Sequence, residues 1–507
     1  MTYQIDKKKM AKNTIVLYIR MIFIMVISFF TSRITLEQLG VDDYGLNNLV
    51  GSIVSMLSFL NGSMGTAVQR YYCVEIGKNN NSALKQVFGC GLLLHIVIAL
   101  LTIVLAEVFA IFFLHKMNIP EERMQAAQIV FQISIISMAG NIISVPYAAL
   151  LRAREMFDKI AIVDIIQAIL RLVILYLLII VDYDKLITLS LLGLGVTLFY
   201  IGALIRMARM FDETHSSPIY DKLLVKHMLS FISMLVITVL CQLLKTQGLI
   251  MLINVFFGLA VNAAFAIATQ VSHLVNTFAM NFKQSIIPQM MASFGANDFS
   301  SMHRIINLGT KVCFLLMLMI STPAIFEVDF LLNIWLKTPP EHSSHLVILV
   351  LIYINIASFT YFQYQGVHAT GSLKMQQIWM SATYIINIAL VYLCFKIGAN
   401  FDIALYVNMI ISVIQCIVNI VYAKKTYSYS VSSFLKGILI PCVITVLIVT
   451  TIMMFFVSNV EASLGRFFIS LLLSESVILI LGYCIILNRA EKEFVINHIK
   501  SIRNRKQ

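Results

Sequence analysis

The sequence predicts an all-α polytopic membrane protein of about 14 transmembrane helices. They form two parallel six-helix lobes plus two further helices at the C-terminus. Three observations carry this. Of the 507 residues, 59% are hydrophobic and only 12% charged, with a mean hydropathy of +0.88. Soluble chains carry about 25% charged residues, too many to be missing from a water-facing surface of this size. Runs of about 20 apolar residues, the length that crosses hydrocarbon, recur along the whole chain. The third observation is an internal offset of 218 residues that lays the first half on the second.

The predicted spans are, in order, 14–33, 46–68, 86–114, 125–150, 159–181, 185–206 and 227–248, then 255–282, 305–328, 345–366, 375–396, 401–423, 436–458 and 466–488. The longest connections, 206–226, 283–304 and 327–345, are too short for a soluble domain. Residues 1–210 read as the first lobe, 211–430 as the second, and 431–507 as two extra helices with a basic tail. The first span follows a basic stretch but has no small-residue cleavage site, so it reads as an uncleaved helix.

Charge placement gives orientation. With the N-terminus inside, 27 of the 37 Lys and Arg residues fall at cytoplasmic connections or termini and 7 outside. This asymmetry predicts both termini in the cytoplasm, and it explains the net charge of +12 without invoking nucleic acid. The eight cysteines are scattered, with no C-x-x-C pair, and read as small core residues. Under the 218-residue offset Gly40 meets Gly258, Gly77 meets Gly295 and Asn79 meets Asn297. Six helices per repeat give both halves the same orientation, as in transporters with a site between parallel repeats.

Charges inside the spans point to function, because Arg or Lys at a helix centre costs about 2.5–3.5 kcal/mol on insertion scales. Arg20 lies in span 1 and Lys245 in span 7. Span 2 carries a stripe of Asn48, Ser52, Ser55, Gly62, Thr66 and Gln69 ending at Arg70. Span 8 carries Asn262, Thr269, Gln270, His273, Asn276 and Thr277 and runs up to Lys283. The four most polar spans are thus equivalent pairs under the repeat, the pattern expected of two lobes facing a wet cavity. Close packing of helices is the competing reading for the small residues. Arg33 and Arg70 stand near span ends, where they can snorkel to the interface. Asp164, Gln167 and Arg171 share one face of span 5, which suggests pairing within a lobe.

Buried carboxylates, the groups a proton- or ion-coupled transporter needs, are Glu107, Asp164 and Glu475. None lies on spans 1, 2, 7 or 8, so the cavity is expected to be net cationic and to select an anion, phosphate or pyrophosphate above all. No P-loop, H-E-x-x-H or serine-hydrolase pattern is present, and Gly193-x-Gly195 lacks its third glycine inside span 6. The sequence therefore predicts no cofactor, no metal site and no enzyme. Glu327, Asp329, Glu341, His342 and His345 in the largest outer loop are the thin basis for a membrane polymerase or ligase.

The first 80 residues resemble a known family. Lys12-Asn13-Thr14, Leu17-Tyr18-Ile19-Arg20-Met21, Thr31-Ser32-Arg33 and Leu39-Gly40-Val41-Asp42-Asp43-Tyr44-Gly45 carry the likeness, with Phe59-Leu60-Asn61-Gly62-Ser63-Met64 and Gln69-Arg70-Tyr71. These segments are similar to the opening of bacterial O-antigen and capsule repeat-unit flippases of the multidrug/oligosaccharidyl-lipid/polysaccharide exporter superfamily. The resemblance implies a MATE-like fold in the bacterial inner membrane, with alternating access of a cationic cavity. It implies a substrate of undecaprenyl-pyrophosphate-linked oligosaccharide, with membrane lipids and other polysaccharide-assembly proteins as partners. By the same resemblance Arg20, Arg33 and Arg70 are cavity cations of the first lobe, and the offset adds Lys245 and Lys283. Multidrug exporters of the superfamily carry a cavity carboxylate on the first or seventh span, where this chain has Arg20 and Lys245. A lipid II flippase and a cation-coupled multidrug exporter are the alternatives.

Overall fold

A computed structural model describes residues 6–57, 59–113, 119–181, 183–215, 221–336, 338–461, 463–489 and 491–493. These residues form helices and connections, with no strand among them. The helices are α1 (Lys7–Leu57), α2 (Phe59–Gly77), α3 (Asn81–Phe113), α4 (Glu121–Ala153), α5 (Phe157–Leu177), α6 (Lys185–Ala208) and α7 (Lys222–Gly295). There follow α8 (Phe299–Phe326), α9 (Val328–Leu336), α10 (Ser343–Ser358), α11 (Tyr361–Thr370), α12 (Lys374–Lys396) and α13 (Ile403–Tyr427). The last are α14 (Val431–Phe434), α15 (Ile440–Asn459) and α16 (Leu464–Leu481). Among the described residues 12 helices are long and apolar enough to cross a membrane.

The difference from 14 has a physical origin in two glycines. Gly40 at φ 75° and Gly258 at φ 78° break the two longest helices, α1 and the 74-residue α7. These are conformations an L side chain rarely adopts, so glycine sets the break. Spans 7 and 8 are therefore the two parts of α7. Span 2 is divided between the end of α1 and α2, whose Asn61, Gln69, Arg70 and Glu75 keep its hydropathy low.

Two predicted boundaries need correction. Span 2 does not end at 68 and span 8 does not end at 282: the helices run on to Gly77 and Gly295. The predicted 283–304 connection shrinks to the three residues between α7 and α8. Arg70 and Lys283, placed near or beyond span ends by sequence, lie within helices at 8% and 6% exposure. Lipid-compatible polar residues extend a helix as well as apolar ones do, and hydropathy alone does not show where it stops.

The 218-residue offset reappears in the backbone. Lys78, Asn79 and Asn80 donate their amides to the carbonyls of Val74, Ile76 and Glu75, and Ala296, Asn297 and Asp298 donate theirs to Ala292, Phe294 and Ser293. Asn79 and Asn297 are both left-handed, at φ 55° and 57°. Each helix is closed by the same C-terminal motif, with asparagine tolerating the left-handed position.

The chain divides into two compact units, residues 1–236 with 287–298, and 237–286 with 299–507. In unit 1, α4 packs against α2, α3 and α6, and α1 against α5. Its core joins Ala126, Ala127, Val130, Phe131 and Ile142 of α4 to Ala99 and Ala106 of α3 and Val50 of α1. Small residues let these helices approach closely where hydrocarbon offers no hydrophobic drive. The α7 terminus belongs to this unit. A Cβ on Gly77 would overlap the carbonyl oxygen of Ala292, and one on Gly295 that of Val74. Both residue pairs are related by the same offset of 218, so the contact is reciprocal.

Beside it Glu155, in the turn between α4 and α5, accepts from Asn13 Nδ2 at 3.2 Å and Gln289 Nε2 at 3.0 Å, with Lys9 Nζ at 3.8 Å. Burial pushes the Glu155 carboxyl up from its usual range, against those hydrogen bonds.

At another corner of unit 1 Arg123 donates to Asp43 at 2.8 Å and to Asp184 at 2.5 Å, tying α1, α4 and α6. Asp184 also caps α6 by accepting from the amides of Leu186 and Ile187, both at 3.0 Å. Burial opposes the Asp184 charge, yet Arg123 and the two amides hold its carboxyl below the usual range. A depressed folded-state pKa contributes stability above the unfolded value, and that stability is lost as pH falls through the folded one. Melting of the detergent-solubilised protein should weaken as pH is lowered below about 4. Asp184→Asn keeps the cap and loses the ion pair to Arg123, so it should flatten that part of the profile and cost at most about 1 kcal/mol at neutral pH.

In unit 2, α13 packs against α10, α11 and α12, and α8 against α10, α11 and α16. Amide pairs bridge α12 and α13: Gln376 to Asn419 at 2.7 Å and Asn387 to Asn408 at 2.9 Å. Glu327, which the sequence placed in an outer loop as a thin candidate for chemistry, is fully buried, with 0% side-chain exposure. It receives Arg466 Nε and Nη2 at 3.0 and 2.7 Å and the Ser470 hydroxyl at 2.7 Å. This is a tie to α16. His345 pairs with Asp402 at 3.2 Å and Glu341 is exposed. The eight cysteines are free thiols.

Candidate functional site

Each unit contains a polar pocket within its helices. The one in unit 1, about 440 Å³, lies between α1 and α5. Arg20, Ile24, Ile27, Ser28 and Thr31 reach it from α1, and Asp164, Gln167, Ala168 and Arg171 from α5. Both sets follow i, i+3, i+4, i+7 spacing, so each is one helix face. Arg20 Nη1 donates to Asp164 Oδ2 at 2.8 Å, with side-chain exposures of 21% and 15%. Arg171 enters no ion pair among the described residues. Two guanidinium groups face one carboxylate, leaving a surplus positive charge. The pairing within a lobe that the sequence suggested for Asp164 is made with Arg20 of α1, so the first span has a carboxylate partner. No spacing rule links residues 144 apart.

The unit 2 pocket, about 510 Å³, is built from α7, α8, α10, α11, α12 and α13. Lys245, His273 and Lys283 line it, with Gln242, Asn276, Asn408, Gln415 and Asn419 and the rings of Tyr353, Tyr361, Tyr364 and Tyr384. Lys245 is 9% exposed and donates to the Tyr353 hydroxyl at 3.3 Å. The Lys283 ammonium stands 4.3 Å from the centre of the Tyr361 ring. Among the described residues no aspartate or glutamate lines this pocket.

The remaining candidates are dispersed. Arg70 is buried in unit 1, with its guanidinium 4.7 Å from the Tyr71 ring centre and 5.3 Å from that of Phe231. It is held by aromatic rings and does not snorkel. Arg33 is 76% exposed and pairs with Glu37 at 2.8 Å along its own helix. Neither lines the Arg20 pocket. Gln270 is exposed and does not line the unit 2 pocket. Glu107 accepts from Gln132 at 3.2 Å, joining α3 to α4. Glu475 on α16 has one buried carboxylate oxygen without a hydrogen-bond partner and lines neither pocket. The side chains of Asn48, Ser52 and Ser55 lie outside the described residues. Among the described residues no group of His, Cys, Asp and Glu could hold a metal ion.

Sequence reading missed the tyrosines and the amides of α13. Tyr353, Tyr361 and Tyr364 fall eight and three residues apart, a helical spacing that was there to be read. Tyrosine in an apolar run passes for core.

The helical architecture of this chain superposes on solved MATE transporters, which defines its class as a MATE-fold multi-pass membrane protein. Residues 18–177 match the MatE family model. A crystal structure of a MATE in complex with MaD3S superposes with a TM-score of 0.72 at 12% identity, covering 84% of this chain and 97% of that one. A MOP superfamily transporter from Pyrococcus furiosus, described as having a binding pocket of reverse polarity that suggests a different function, gives 0.71 at 10% identity, covering 84% and 97%. An outward-facing multidrug resistance MATE transporter of the MOP superfamily gives 0.69 at 11% identity, covering 83% and 96%. At these identities the likeness is one of fold. No curated protein matches the chain.

Proposed function

We propose that this protein is a transporter that moves undecaprenyl-pyrophosphate-linked oligosaccharide across the bacterial inner membrane, from the cytoplasmic to the periplasmic leaflet. One observation carries the reading: Arg20, Arg171, Lys245 and Lys283 line the two pockets against a single carboxylate, Asp164. Cations that deep in a membrane protein are costly without an anionic partner. A diphosphate satisfies arginine forks, sugar hydroxyls satisfy the amides, and the lipid tail stays in the bilayer while the polar head crosses.

The Asp164 carboxylate favours the second reading, a cation-coupled multidrug exporter. With no nucleotide motif, coupling falls to an ion or the membrane potential, with Asp164, Glu107 and Glu475 as candidate titrating groups. The deciding experiment removes the protein from its host. Accumulation of a lipid-linked oligosaccharide on the inner leaflet with unchanged drug susceptibility is expected; drug sensitivity without accumulation overturns the proposal. Accumulation of lipid II would point to the lipid II flippase alternative.

The basic-residue asymmetry supports a cytoplasmic location for both termini. With native cysteines replaced, Glu341→Cys should react with an impermeant maleimide in intact spheroplasts, while Asp212→Cys should react after permeabilisation only. Reaction at Asp212→Cys in intact spheroplasts overturns this topology.

A further inference from the structure

We propose that the unit 2 pocket is an acidic-sugar subsite, in which Lys245 and Lys283 bind carboxylate groups of the glycan and the tyrosine rings stack on its sugar faces. This rests on the flippase reading and adds a chemical class of sugar to it.

Four features of the pocket point there. Both lysines are more than nine-tenths buried, at 9% and 6% exposure, and no acidic side chain lines the cavity to compensate them. A buried ammonium without a counter-charge is unfavourable, so the negative charge is supplied by what binds. The rest of the polar lining is amides, hydroxyls and the His273 ring, groups that donate and accept and suit sugar hydroxyls better than a compact polyanion. Four tyrosines supply flat apolar faces with a polar tip, the surface on which a pyranose ring lies.

The two charges are held separately, Lys245 at Tyr353 on α10 and Lys283 at Tyr361 on α11. An oligosaccharide offers a carboxylate to each. Lysine is also the less forked cation, able to meet a single carboxylate oxygen from several directions, whereas arginine presents the bidentate geometry that phosphate prefers. The guanidinium groups in this protein's pockets are in unit 1.

The test uses the full chain in lipid nanodiscs and isothermal titration calorimetry. The probes are a tetrasaccharide of alternating glucuronate and N-acetylglucosamine, neutral chitotetraose and inorganic pyrophosphate. The acidic sugar should bind at least about tenfold tighter than chitotetraose, the ratio that one charge-assisted hydrogen bond supplies. Lys245→Gln and Lys283→Gln should each cut acidic-sugar affinity about tenfold and chitotetraose affinity by clearly less, with an unchanged thermal melting point certifying the fold. Lys245→Arg should retain acidic-sugar binding, and Tyr384→Ala should weaken both sugars alike. Equal affinity for the two tetrasaccharides overturns the proposal. So does displacement of the acidic sugar by pyrophosphate with the same lysine dependence, which would make this a phosphate site. Either failure leaves the flippase reading standing if lipid-linked oligosaccharide accumulates in the deletion strain; absence of accumulation sinks that reading by itself.

Discussion

On the flippase reading, Arg20→Ala is expected to abolish surface polysaccharide export, the largest effect of any single change. Arg20 lies about 10 Å into its span at 1.5 Å rise per residue, and its guanidinium faces a pocket. The bond to Asp164 at 2.8 Å raises a competing account, in which Arg20 is there to neutralise a buried carboxylate. The two accounts separate in a double variant. Arg20→Ala alone leaves the Asp164 carboxylate without its guanidinium, with the Tyr200 hydroxyl still bonded to it, and should lower protein abundance as well as export. Arg20→Ala with Asp164→Asn removes both charges and should restore abundance. Export stays lost if the pocket binds an anion and returns if the pair is structural. Arg20→Lys keeps the charge without the fork, so partial export is expected, and Arg20→Glu is worse than Ala because it repels the substrate and Asp164 together. Protein level by immunoblot and surface polysaccharide in a deletion strain are the two readouts. Normal export by the double variant would leave the cationic-pocket mechanism without its main residue.

The second large effect is structural. Gly77→Ala and Gly295→Ala each place a methyl group onto a backbone carbonyl of the other helix, Ala292 in one case and Val74 in the other. Backbone cannot rotate away as a side chain can, so the helix ends must separate. We expect a loss of about 1–3 kcal/mol for each alanine and more for Gly77→Val. Gly62, on the same helix as Gly77, has nothing within 4 Å of its would-be Cβ. Gly62→Ala should be neutral or gain about 0.5–1 kcal/mol from helix propensity. Thermal unfolding in detergent compares the three. A Gly77→Ala protein as stable as Gly62→Ala would show that these helix ends do not meet.

The separation of Arg20 from Asp164 by 144 residues marks where sequence reasoning stops. Composition by itself determined the class, because the missing charged surface has no soluble solution. Periodicity determined most spans, since a helix in hydrocarbon must satisfy its own backbone and needs a set length of apolar residues. The Gly40–Gly258 and Asn79–Asn297 pairs at the 218-residue offset were legible because a left-handed backbone position restricts residue type, and Gly77–Gly295 because a close backbone approach does.

Tertiary structure decided the rest. Helix faces are periodic, but which face meets which is set by packing across hundreds of residues. That is why the partner of Asp164 within its lobe is Arg20, on another helix, and why Arg33 and Arg70, near Arg20 in the chain, stand outside its pocket. The same holds for Lys245 and Lys283. Sequence marked them as charges out of place, while the tyrosines and amides around them come from four other helices. Hydropathy reports what each residue prefers as its solvent, and a polar pocket inside a membrane protein is an arrangement of neighbours that no single segment encodes.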